Sequence, residues 1–124
     1  MKANELRNHN WVNINGQPYT VNGAFLAEIE KKNCTWVKSI SFVEVTAAIL
    51  EKIGFTTDEF KVEYRIGLPI GEGSDLFIED EGHPIMSCGI KNDKHYNYFK
   101  DIRYVHQLQN LYFAISGEEL EVKL

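Results

Sequence analysis

The sequence has two cysteines, three prolines, no long apolar run and no block of lysine or arginine. Cys34 and Cys88 form no CxxC pair and allow at most one bridge, which excludes a disulfide framework and a cysteine-rich zinc site. Both lie in apolar, strand-like contexts and read as buried free thiols. A membrane-spanning helix needs about 20 apolar residues, and nothing here approaches that. Residues Met1 to Arg7 lack the apolar stretch of a secretion signal, so the expected location is the cytoplasm. The net charge is −5. Residues 1–62 balance seven basic against seven acidic side chains, while residues 63–124 hold six basic and eleven acidic. Such a chain repels phosphates and anionic lipid at a distance, which disfavours nucleic acid and membrane as partners. The nearest thing to a basic cluster is Lys31, Lys32 and Lys38.

What remains is ordinary globular composition, 44% hydrophobic and 25% charged over 124 residues. That length suits a single domain, 1–124, with an N-terminal β subregion (1–42) and an α+β subregion (43–124). Asn15-Gly16 between Trp11–Ile14 and Gln17–Val21 predicts a type I′ hairpin, whose two central residues need positive φ. Pro18 lacks an N–H, so the second strand is expected to be an edge or to carry an unpaired position there. Strands are further expected at 24–30 and 34–42, at 60–66 with Phe60, Val62, Tyr64 and Ile66 inward, at 75–79 and at 84–90. The run 96–99 reads as a short strand or an irregular segment, and 67–74 and 91–95 as turns.

Two helices are expected. Thr46 suits the N-cap of a short one over 47–53, Val45 and Leu50 fit a hydrophobic staple, and Gly54 fits the left-handed stop. In the second, over 103–116, Tyr104, Val105, Leu108, Leu111, Tyr112 and Ile115 recur at helical spacing over a stripe of roughly 120°. Asp101 is the candidate N-cap and Gly117 the stop. Strands, short helix, strands and long helix in that order predict an α+β fold with mostly antiparallel strands.

The run Tyr104-Val105-His106-Gln107-Leu108-Gln109-Asn110-Leu111-Tyr112-Phe113-Ala114, followed after two residues by Gly117-Glu118-Glu119-Leu120, resembles the ending of a family of small uncharacterised proteins. These occur in gut Gram-negative anaerobes and on their prophages or mobile elements. Asn4-Glu5-Leu6-Arg7 with Trp11-Val12, and Val45-Thr46 through Leu50 to Lys52-Ile53-Gly54-Phe55, are similar to the same family. The chain departs from it at Asn8-His9-Asn10, where Ile-Gly-Asn is common, and at Ala47-Ala48, where acidic residues are usual. The resemblance implies a shared fold, an N-terminal SH3-like small barrel, and no catalytic activity.

No catalytic constellation is legible, and the expectation is a protein without cofactor or metal. His9, His83, His95 and His106 show none of the short spacings of a metal site. Glu72, Asp75, Glu79, Asp80 and Glu81 crowd one region without the ligand order of a calcium loop and read as a solvated loop. Cys88 follows His83 by five residues, too little to define a nucleophile and its base. Gly67 to Gly73 lacks the lysine and following helix of a phosphate loop. On the last helix Phe113 falls about 140° from the centre of the apolar stripe. With His106, Gln109 and Asn110 it forms the candidate interaction surface, for a protein partner or a second copy of this chain. The leading expectation is a non-enzymatic accessory or adaptor domain. The alternatives are a nucleic-acid-binding small β-barrel, using Trp11, Tyr19 and Trp36 with the three lysines, and a small enzyme without a recognisable motif.

Overall fold

A computed structural model describes residues 6–7, 9–22, 40–57, 62–69, 73–80, 85–92 and 95–122. Two antiparallel sheets meet at the last helix, an α+β arrangement. The first sheet has the order β2-β1-β3, from β1 (Trp11–Ile14), β2 (Gln17–Thr20) and β3 (Ile40–Phe42). Asn15 and Gly16 have φ of 52° and 83°, the two positive values a tight type I′ connection requires. Pro18 stands opposite Asn13 in β2, which is an edge strand among the described residues and exposed throughout. Among the described residues this sheet has three strands and is not closed. The expected strand at 24–30, and most of that at 34–42, lie outside the described residues.

The second sheet is β4-β5-β6-β7-β8, from β4 (Thr56–Thr57), β5 (Glu63–Gly67), β6 (Ser74–Glu79), β7 (Met86–Asn92) and β8 (His95–Ile102). Its inner face carries Tyr64, Leu76, Ile78, Met86, Cys88 and Ile102, all buried. Helices α1 (Ala47–Ile53) and α2 (Val105–Ser116) contribute Leu50, Val105, Leu108 and Tyr112 to the same core. A smaller core unites Leu6, Val12, Ile14 and Val21, with Phe42 packed against it.

Helix α1 forms where local chemistry directs it. Thr46 Oγ1 accepts from the Ile49 amide at 3.2 Å, and Gly54 takes φ 115° and closes the last turn. The start of α2 is different from expectation. Asp101 is not its cap: β8 runs on to Ile102, Asp101 pairs with Ser87 across the ladder, and the Ser87 hydroxyl donates to it at 3.2 Å. Gln107 performs the capping by reaching back, its Oε1 accepting from the amides of Arg103 (2.9 Å) and Tyr104 (3.0 Å). Val62, expected inward, is 46% exposed, because the inward alternation begins only at Tyr64.

The segment before α1 is laced to the segment before α2. Val45 N–H donates to Arg103 C=O and Val105 N–H to Val43 C=O, both at 2.8 Å. Arg103 adds an ion pair to Glu44 at 2.7 Å.

Candidate functional site: the outer face and edge of the larger sheet

The residues expected to form an interaction surface on α2 do not share one. His106 and Gln109 are 1% and 2% exposed, Asn110 is half-buried, and Phe113 is 40% exposed. The cause is the first sheet, which lies against this flank of the helix. The His106 ring sits 4.2 Å from Phe42 and stacks at 5.9 Å on Tyr104. Gln109 Oε1 accepts from the Trp11 amide at 3.0 Å, and its Nε2 donates to His9 C=O at 3.0 Å. Asn110 Oδ1 accepts from Arg7 Nε (2.7 Å) and Asn10 Nδ2 (3.0 Å). The Arg7 guanidinium continues to Glu119 at 2.6 Å and covers the Phe113 ring at 4.4 Å from its centroid. Trp11 donates its indole N–H to Val122 C=O. The polar back of α2 is therefore a clasp between the two ends of the described chain. Arg7 and Trp11 meet the stretch from Gln109 to Glu119, so the two terminal motifs noted in the sequence touch each other.

The remaining candidates are scattered. His9 sits in a turn at φ 75°, His95 is exposed on β8, and His83 lies outside the described residues. Among the described residues no group of three or more His, Cys, Asp or Glu is placed to hold a metal. Cys88 is buried on the inner face; Cys34 lies outside the described residues, as do Lys31, Lys32, Lys38, Trp36, Glu72 and Glu81. Asp75 and Glu79 are not in a loop but in β6, with Asp80 just beyond it.

The outer face of the larger sheet is the feature that folding does not account for. The ladder aligns Glu63, Arg65 and Gly67 of β5 with Glu79, Phe77 and Asp75 of β6. These in turn face Ser87, Gly89 and Lys91 of β7, and then Asp101, Tyr98 and Tyr96 of β8. Phe77 is fully buried although it points away from the core. The Tyr96 and Tyr98 rings stand edge-on to it, at 5.1 and 5.0 Å and at 82° and 87°. Gly89 makes this possible. A Cβ there would come within 2.0 Å of the Asn97 carbonyl oxygen, so only glycine lets β8 lie this close. The register slips at this point by a β-bulge that leaves Phe99 between the paired residues Tyr98 and Lys100.

The charges of the face are organised around these rings. Glu63 and Glu79 are direct cross-strand neighbours, an arrangement that is repulsive by itself. Lys91 Nζ lies 3.8 Å and Arg65 Nε 3.4 Å from Glu63 Oε2, which offsets one carboxylate. The Tyr98 hydroxyl donates to Glu79 Oε1 at 2.5 Å and satisfies the other. That hydrogen bond, with desolvation and the Glu79 charge, pushes the Tyr98 phenol up to about 12. Lys91 also lies 4.8 Å over the Tyr96 ring. Around this packed centre Tyr96, Tyr98 and Phe99 are 40%, 56% and 49% exposed.

Sequence reasoning passed over this site because 96–99 reads as a short or irregular run. The signal was the pair Tyr96 and Tyr98 at strand spacing, together with a glycine inside the apolar strand before them. No family model, curated protein or solved structure matches the chain. Among the described residues no helix is long and apolar enough to cross a membrane.

Proposed function

We propose that the protein is a non-enzymatic accessory domain that works in the cytoplasm by binding another protein across the outer face of its larger sheet. The observation that carries this reading is the exposure of Tyr96, Tyr98 and Phe99 on a strand held by Phe77 and Gly89. Aromatic residues are enriched in the cores of protein interfaces. Tyrosine offers wide contact area at low cost in rotamer freedom, the more so when its ring is already positioned. The resemblance of both ends of the chain to small proteins of prophages and mobile elements supports an accessory role. Exposed rings also serve as stacking platforms for single-stranded nucleic acid, but those are paired with basic grooves. Here, among the described residues, Glu63, Asp75, Glu79 and Asp101 outnumber Arg65 and Lys91 on the face.

The test is selection from a displayed random-peptide library on the wild type and on the double variant Tyr98→Ala/Phe99→Ala, with circular dichroism to check folding. Peptides enriched on the wild type and lost on the folded double variant are the expected result. Peptides retained equally by both would remove the site, and salt-sensitive capture of single-stranded oligonucleotides would transfer it to nucleic acid.

A further inference from the structure

Strand β8 ends the described order of its sheet. Among the described residues β7 runs along one side of it and no strand along the other. An edge strand turns alternate N–H and C=O groups outward, where another extended chain can pair with them. Natural edges are commonly shielded by shortness, proline or inward charges. Strands β2 and β4, at edges among the described residues, follow that rule, β2 through Pro18 and β4 by being two residues long. β8 is eight residues long, has no proline, and is exposed at every residue from His95 to Phe99.

The charge beside this edge is not neutral. Arg65 and Lys91, the two cations of the outer face among the described residues, both lie within 4 Å of Glu63. Asp75, Glu79 and Asp101 have no cation within ion-pair distance among the described residues. Asp101 is on β8 itself, and Glu79 holds the hydroxyl of Tyr98.

We infer that β8 takes up an extended segment of a partner protein as an added strand, and that this segment carries lysine or arginine on the side that continues the outer face. The inference rests on the protein-binding reading above and specifies the partner's chemistry. Backbone hydrogen bonds from His95 to Phe99 hold the segment, and side chains at every second position fall beside Tyr96 and Tyr98. There a cation meets aromatic rings and the Glu79 carboxylate, which has no cation beside it among the described residues. The bulge at Phe99 ends the regular edge and keeps the paired stretch short. A second copy of this chain fits poorly. Two β8 edges joined by a two-fold axis would bring two bulges into one ladder and set two negatively charged outer faces side by side.

The experiment uses the whole chain labelled with ¹⁵N and three synthetic octapeptides at low salt. One alternates lysine and valine, one alternates glutamate and valine, and one is the lysine peptide N-methylated at alternate residues, made in both phases. The lysine peptide is expected to bind at least tenfold more tightly than the glutamate peptide, with amide shifts concentrated between His95 and Ile102. One N-methylated phase should lose at least tenfold in affinity, and Tyr98→Ala should weaken binding of the parent. Equal binding of the two charge types, indifference to N-methylation in both phases, or shifts centred elsewhere would overturn the inference. So would β8 shifts that depend on protein concentration without peptide, which assign the edge to a second copy. If library peptides depend on Tyr98 and Phe99 but prove neutral, acidic or helical, the inference fails while the protein-binding reading stands.

Discussion

Gly89 and Arg7 each do something their neighbours could not. At Gly89 a methyl group would drive into the Asn97 carbonyl, and the strand cannot move away without separating Tyr98 from Phe77. Gly89→Ala is therefore expected to lower unfolding stability by about 1–3 kcal/mol in a urea titration, the usual range for overpacking. It should also weaken any ligand of the outer face. Arg7 joins Asn110, Glu119 and the Phe113 ring through one guanidinium. Arg7→Ala should lose about 1–3 kcal/mol, as charged hydrogen bonds to half-buried partners do. Phe113→Asp should stay folded, because it sets a carboxylate beside that cation. Tyr98 carries a pH signature. Its pKa is about 12 in the folded chain against 10 for an ordinary tyrosine, so the folded state favours the neutral phenol. Its contribution to stability is complete below pH 10 and disappears as pH rises through 12. An ultraviolet titration should show late tyrosine ionisation that Tyr98→Phe reduces, leaving that of Tyr112, which burial also raises.

At the scale of elements, what was legible in the sequence is what adjacent residues decide. Asn15-Gly16 closes its hairpin and Thr46 and Gly54 bound α1, because those choices depend on φ preferences and hydrogen bonds within a few residues. Thr46→Ala should cost about 1 kcal/mol, readable as a lowered thermal midpoint. The extent of β8 was not legible, because its residues pair with β7 and its regularity is interrupted by a bulge set by Gly89. The same long pairing removes Asp101 from the helix cap and leaves the task to Gln107. On α2 the apolar stripe was read correctly in Val105, Leu108 and Tyr112. The polar flank was read as surface because period alone cannot show that a second sheet lies against it. Hydrogen bonds between His9, Asn10 and Trp11 on one side and Gln109 and Asn110 on the other supply what that flank needs, and these partners are about 100 positions away.

For the whole molecule, the two sheets have separate cores and share α2. The first sheet is attached largely by the Gln109 amide, the Arg7 fork and the rings of Phe42, Tyr104 and His106. Gln109→Leu leaves the Trp11 amide and the His9 carbonyl without their partner in a part-buried setting, which costs about 1 kcal/mol or more in total. The expected outcome is unequal loosening. Amide exchange should accelerate in β1–β3 while β5–β7 keep most of their protection, as happens when one cooperative unit opens before another. Uniform acceleration of both sheets would mean that they unfold together.

The clasp has a topological consequence. Arg7 and Glu119 are separated by 112 positions yet share an ion pair, and Trp11 holds the carbonyl of Val122. Entry and exit of the described chain thus lie side by side on one flank of α2. Seating this unit inside a loop of a carrier protein would ask for two attachment points close together, and the carrier's own tether would then do part of what Arg7 does. Joined by a short linker across that gap, the chain should accept new ends elsewhere, and its dependence on Arg7 should fall.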